Sequence, residues 1–159
     1  MPSPPLIDPA RFEDAPVLFG PERIRQVNPH RFEFELLSGV LHYAEGDDLF
    51  VGYHDVRSDA YWMRGHIPGR PILPGVLMIE AAAQLCTFFW GMRRKPVQEK
   101  FYAFGGVDEV RFRGAVVPPC RLLLAARVLN MRSQAARWET QAFVGDELVF
   151  EGKIFGTAI

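Results

Sequence analysis

Hydrophobic and polar positions alternate in three different ways along this chain. Between residues 75 and 92 apolar side chains crowd nearly every position, interrupted by Glu80 and Gln84 and free of proline. That pattern predicts one long helix, apolar almost all round and therefore buried. Upstream, Phe32, Phe34 and Leu36 alternate with Glu33 and Glu35, the period of a half-buried strand. Residues 44–48 read as a turn and 49–57 as the returning strand. Residues 58–74 have no period and read as a structured loop. Downstream, strand-like segments follow at about 100–107, 109–117, 121–131, 135–144 and 147–156, with Gly145-Asp146 as a two-residue hairpin turn. Pro21 and the Asn28-Pro29 pair bracket a short helix at about 21–27.

A helix apolar on all sides needs a wrapping. The expected architecture is α+β: one long buried helix wrapped by a curved antiparallel sheet of five to seven strands, in a single domain over residues 21–159. Residues 1–20 hold five of the 13 prolines. They read as an extended arm laid over that body, with little regular structure.

Composition narrows the function classes. The chain of 159 residues is 48% hydrophobic and 23% charged, with a net charge of −1. No basic excess favours nucleic acid. Cys86 and Cys120 form neither a C-x-x-C pair nor a disulfide framework, and no metal is expected. No signal peptide opens the chain, and the apolar stretch 76–90 reads as too short for a bilayer. The expectation is a cytoplasmic protein with no membrane or nucleic-acid partner. There is no P-loop or G-x-G-x-x-G, and no cofactor is implied.

The stretch "GHIPGRPILPGVLMIE", residues 65–80, carries the candidate chemistry. Pro68, Pro71 and Pro74 fix φ at three of seven positions, so the loop holds His66, a base near neutrality, in one shape. Gly75 stands at the helix start, where N–H groups lack internal partners and a substrate carbonyl could approach. Glu80 sits among apolar neighbours with Gln84 one turn on; desolvation there would raise its pKa, which suits a general acid. A solvent-facing Glu80 and a plain N-cap Gly75 are the bland alternatives. Base, acid and oxyanion donor together describe proton abstraction beside a carbonyl and protonation of a leaving group.

These residues resemble the signature of the β-hydroxyacyl-(acyl carrier protein) dehydratases of type II fatty acid synthesis. The family's G-H-F-P-x-x-P-x-x-P-G-V-L run appears as Gly65-His66-Ile67-Pro68, Pro71, and Pro74-Gly75-Val76-Leu77, followed by Glu80 and Gln84. "NPHRFEF" (28–34) and "GGVDEVRFRGAVVP" (105–118) extend the likeness to about residues 22–156. Ile67 stands where the family has Phe, and Pro118-Pro119-Cys120 where it has Pro-Gly-Asp. The resemblance implies the hot-dog fold and a homodimer with two shared active sites, open to assembly as a trimer of dimers. It implies His66 as base, Glu80 of the partner chain as acid, the Gly75 N–H on the thioester carbonyl, and the Ile72 carbonyl orienting the imidazole. Glu rather than Asp at position 80 matches the dehydratase-only branch.

By the same resemblance, Tyr61, Trp62, Ile67 and Phe104 would line an acyl tunnel. Arg93, Arg94 and Lys95 are either compensation of the helix C-terminus or a dock for an acidic acyl carrier protein. Leu85, Phe88, Phe89 and Trp90 read as core or dimer contact, and His30, His42 and His54 as structural. Two further functions share the fold: an acyl thioesterase, and a non-catalytic module that binds acyl thioesters.

Overall fold

Residues 1–94 and 102–159 are described by the computed structural model. The short helix forms where the prolines and asparagine place it, as α1 (Pro21–Val27) with Pro21 in its first turn and Asn28 closing it through a bond to the Ile24 carbonyl. Two strands follow, β1 (Gly39–His42) and β2 (Leu49–Val56), and then the long helix α2 (Gly75–Arg93). The rest is strand: β3 (Tyr102–Phe112), β4 (Cys120–Met131), β5 (Ala135–Val144) and β6 (Glu147–Ala158). All six make one antiparallel sheet in the order β1-β2-β4-β5-β6-β3. This is the expected hot-dog architecture, with α2 packed on the sheet.

Alternation along the strands builds two apolar layers. Phe50, Leu122, Leu124, Ala142 and Phe150 point inward against α2, joined by Trp138 and Ile154. On the helix, Leu85, Phe88, Phe89 and Trp90 are buried in this core as expected, with Phe89 stacked on Phe50 at 4.1 Å between ring centroids. The intervening residues, Val51, Tyr53, Leu123, Ala125 and Phe143, point outward. The N-terminal arm covers this outer face with Leu6 and Ile7. The side chains of Gln141 and Glu151 take the only two N–H groups that prolines leave between residues 2 and 6. Ser3 N–H donates to Glu151 and Leu6 N–H to Gln141, whose amide returns a bond to the Pro4 carbonyl.

Three expectations need correcting. Residues 32–36 are not a strand: Phe32–Phe34 is a single 3-10 turn, with Phe32 86% exposed. Its backbone finds another partner, the Gln84 side chain, which accepts from Leu36 N–H and Leu37 N–H and donates to the Phe34 carbonyl. The segments around 100–107 and 109–117 are one strand, β3, from Tyr102 on. It absorbs its irregularities as bulges at Phe104/Gly106 and Asp108/Arg111 and ends at Phe112. Among the described residues the sheet has six strands, within the expected five to seven. Last, α2 spans 19 residues and is long and apolar enough to cross a membrane, longer than the stretch 76–90 suggested; 67% of its apolar window is buried inside the fold. The β5–β6 hairpin turns at Gly145 with φ of +59°, the left-handed conformation that its tight turn demands.

Candidate active site

His66 is presented by a run of turns at 62–66, where the Trp62 carbonyl accepts from both Gly65 and His66 N–H. Its Nδ1 lies 2.8 Å from the Ile72 carbonyl. A carbonyl only accepts, so Nδ1 carries the proton and Nε2 is left bare, with the lone pair a base needs. The end of the loop is tied to the β3–β4 connection through Leu73 N–H on the Val116 carbonyl. Directly after the histidine, Ile67 has φ of +57°, which a β-branched residue rarely adopts. Strain of that kind persists where the surroundings over-determine the backbone, often at functional sites.

Gly75 opens α2 behind Pro74, which has no capping side chain. Among the described residues no acceptor takes the Gly75 N–H. A Cβ at this position would stand 3.1 Å from the Phe112 ring, so the glycine lets α2 start against the end of β3. The free N–H and the positive end of the helix dipole coincide there.

Glu80 lies five residues on. Along a helix that is about 7.5 Å of rise and about 140° of rotation, so the carboxylate leaves on the side away from Gly75. Within one chain no hydrogen bond or ion pair joins His66 to Glu80. The deep desolvation expected of Glu80 is also absent in the single chain: its side chain is 26% exposed, because Val76 one turn earlier is open to solvent. Gln84, by contrast, is fully buried and donates from Nε2 to Glu80 Oε1 at 2.9 Å. Asn28 fixes the same turn of α2 by donating to the Gln84 carbonyl.

One neighbour of Glu80 was read from the sequence as merely structural. His30 places Nε2 at 3.4 Å from Glu80 Oε1. Burial lowers its pKa below the ordinary histidine value; Glu80 pulls the other way and Arg31 adds to the lowering. The two residues stand fifty apart in sequence, and only the fold joins them.

The remaining expected site residues scatter. Tyr61, Ile67 and Phe104 are exposed, whereas Trp62 is buried in the core. Arg93 lies over the Phe89 ring and donates to the Ala44 and Asp47 carbonyls of the β1–β2 turn. Arg94 lies over Trp90 and donates to the carbonyls of Ser133 and Arg132. Lys95 falls outside the described residues. Among the described residues no group of three or more His, Cys, Asp or Glu could hold a metal ion. Two clefts, of about 620 Å³ at the end of β2 and about 950 Å³ beneath the arm, are lined by neither His66 nor Glu80.

Comparison with known proteins adds a lineage to this geometry. A family model of the FabA-like domain matches residues 28–153. The chain is 36% identical over 131 residues to a 3-hydroxyacyl-(acyl-carrier-protein) dehydratase, FabZ, from Moorella thermoacetica, covering 82% of this chain and 90% of that protein. It is 33% identical over 132 residues to the enzyme of the same name from Legionella pneumophila, with 82% and 87% covered. It also matches a bifunctional LpxC/FabZ enzyme from Chlorobaculum tepidum at 33% identity over 145 residues, spanning 91% of this chain but only 31% of that longer protein. Among solved structures, the dehydratase heterocomplex ApeI:P from Xenorhabdus doucetiae superimposes with a TM-score of 0.71 at 17% identity, covering 86% of this chain and 90% of that one. A thioesterase from Pseudomonas aeruginosa superimposes at 0.64 with 15% identity, covering 93% and 97%. At those identities the two structures speak for the fold alone.

Proposed function

The chain belongs to the FabA-like family, and from that premise we propose that it is a lyase dehydrating (3R)-3-hydroxyacyl thioesters on acyl carrier protein to trans-2-enoyl thioesters. The observation that carries this reading is the Nδ1···Ile72 contact, which leaves His66 Nε2 as a bare, oriented base in the loop that leads into α2, whose first N–H, at Gly75, has no acceptor among the described residues.

In the proposed reaction the thioester carbonyl accepts from Gly75 N–H. That polarises the C2–H bond, and Nε2 of His66 removes the C2 proton. The C2–C3 double bond forms as the C3–O bond breaks. Glu80 protonates the departing hydroxyl, which leaves as water. The proton on His66 then returns through solvent to Glu80, closing the cycle.

The acid comes from a second copy of the chain. The opposed directions of Gly75 and Glu80 along α2 support this, since one chain's carboxylate leaves away from its own donor. The edge strand β3 supports it too. Among the described residues it pairs only with β6, and it exposes Phe104, Val107 and Phe112, the last of these against Gly75 at the start of α2, where Val76 is exposed too. An open edge that long and apolar is a surface for a partner. Pairing two β3 edges would cover it and bring each His66 loop against the other chain's α2. Tyr61, Ile67 and Phe104, all exposed in one chain, then border the acyl tunnel. Docking of the carrier at Arg93 and Arg94 would have to share guanidinium groups already bonded to turn carbonyls. The family's soluble enzymes suggest the cytoplasm as the place of action.

The test is direct. Purified protein given 3-hydroxyacyl-carrier substrates should gain enoyl absorbance. Glu80→Gln and His66→Ala should each lose about a hundredfold or more, the scale of a positioned acid or base. Equal, negligible rates in wild type and both variants across chain lengths would sink the assignment. Release of free thiol instead would turn it into a thioesterase.

A further inference from the structure

We propose that His30 is a positioning residue for the acid, and that it is set in that role by a buried water site shared with Asn28. The inference rests on the reading of Glu80 as the acid.

Among the described residues, two buried polar atoms in this corner have no hydrogen-bond partner, Asn28 Oδ1 and His30 Nδ1. Both residues line one small cavity, of about 10 Å³, closed by Pro21, Ile24, Leu37 and Gln84. That volume is at the lower bound for a single water, and buried polar atoms left unpaired cost enough to hold one. Both orphans accept: an amide oxygen always does, and a histidine nitrogen does when bare. One water has two hydrogens. Donating one to each satisfies both atoms.

The water then fixes the tautomer. With Nδ1 accepting, the ring proton sits on Nε2, the nitrogen that faces Glu80 Oε1 at 3.4 Å. The rest of the corner agrees. The imidazole is kept neutral by burial, with Arg31 beside it. Arg25 and Glu35, the other charged groups on the same cavity, are paired with each other at 2.7 Å. Asn28 and Arg31 clamp the segment: the Asn28 amide donates to the Gln84 carbonyl, and Arg31 donates to the carbonyls of Asn28 and His30.

Two groups therefore face the same carboxyl oxygen. Gln84 Nε2 donates to Oε1 at 2.9 Å, and His30 Nε2 lies 3.4 Å from it, outside hydrogen-bond geometry but within reach of a small turn of the ring. In a carboxylic acid the oxygen that accepts is the carbonyl oxygen. With Oε1 so occupied, the acidic proton of Glu80 is confined to Oε2, the oxygen left to face substrate. His30 chooses the oxygen; it does not touch the substrate.

Long-range nitrogen–proton spectra of the histidine rings in the wild-type protein at neutral pH test this without any variant. His30 is expected with its proton on Nε2, the opposite tautomer from His66. A proton on Nδ1 overturns the proposal.

Kinetics provide the second arm. His30→Phe should lower kcat by about tenfold to a hundredfold, the scale of one lost hydrogen bond to an ionisable group, with KM nearly unchanged. Glutamine carries an N–H where Nε2 stood, whereas asparagine carries one only at the Nδ1 position. His30→Gln should recover most of the loss and His30→Asn should not. Glutamine performing no better than phenylalanine overturns the role. The parent reading fails separately, if Glu80→Gln keeps the wild-type rate.

Discussion

Replacing Gln84 by alanine should cost this protein about 3 kcal/mol, a large share of the 5–15 kcal/mol that holds a typical domain together. The side chain is 2% exposed and makes four hydrogen bonds. Its Oε1 accepts from Leu36 N–H at 2.9 Å and Leu37 N–H at 3.2 Å, and Nε2 donates to the Phe34 carbonyl at 2.8 Å and to Glu80. Phe34 is near enough to solvent for its carbonyl to find water. Leu36 N–H keeps the Phe34 carbonyl as a second acceptor at 3.1 Å, but the amide of Leu37 is buried and would be stranded. At about 2 kcal/mol for the stranded donor, plus about 1 kcal/mol for the cavity, the sum reaches about 3 kcal/mol. With a urea dependence near 2 kcal/mol per molar, the unfolding midpoint should fall by about 1.5 M at fixed protein concentration, the slope unchanged. Hydrogen exchange of the Leu36 and Leu37 amides should quicken. Gln84→Met, close in volume but without the polar atoms, should lose nearly as much. A methionine variant as stable as wild type would show that the cost was cavity, not hydrogen bonding, and would refute the reasoning.

Deleting residues 1–12 should bare the outer cluster of Leu41, Val51, Tyr53, Leu123, Ala125 and Phe143. An apolar dye should bind, and the protein should self-associate while keeping its α2 core; a truncated protein that stays clear of dye would contradict the packing described. Burial depresses the pKa of both His54 and His30 below the ordinary 6.5. The unfolded chain then binds more protons than the folded one just below that value, so stability drops as pH falls through this window. The slope is at most about 1.4 kcal/mol per pH unit for each histidine. Urea titrations at pH 7.5 and 5.5 should show the loss, and His54→Phe should flatten it; equal midpoints at both pH values would count against it. Cys86 is buried and its thiol is pushed well up by burial, so a thiol reagent should reach it only on unfolding.

The elements whose cause is local were legible in the sequence. α1 is bracketed by Pro21 and Asn28, the β5–β6 turn is marked by Gly145-Asp146, and α2 by a long proline-free apolar run. Residues 32–36 misled because alternation reports one buried face, not what the backbone bonds to. Their partner is one glutamine side chain on α2, fifty residues on from Phe34, which no local pattern encodes. β3 looked like two strands because its bulges break the period without ending the ladder. The loop holding His66 was legible through its prolines, and the resemblance to the family pointed to the Ile72 carbonyl that Nδ1 meets. His30 was not, although "NPHRFEF" was matched to the family as a motif. Its chemistry comes from a tertiary contact with Glu80 and a cavity walled by α1 and α2.

The central claim is that each working site draws His66 from one chain and Glu80 from the other, and complementation between two inactive variants tests it. His66→Ala and Glu80→Gln chains, each inactive alone, would be unfolded, mixed in equal amounts and refolded together, and dehydration followed by enoyl absorbance. Half of the random dimers are mixed, and each mixed dimer rebuilds one intact site of its two, so about a quarter of wild-type activity should return. If both residues of a site come from one chain, every site carries a lesion, and a mixture as inactive as its components would contradict the account.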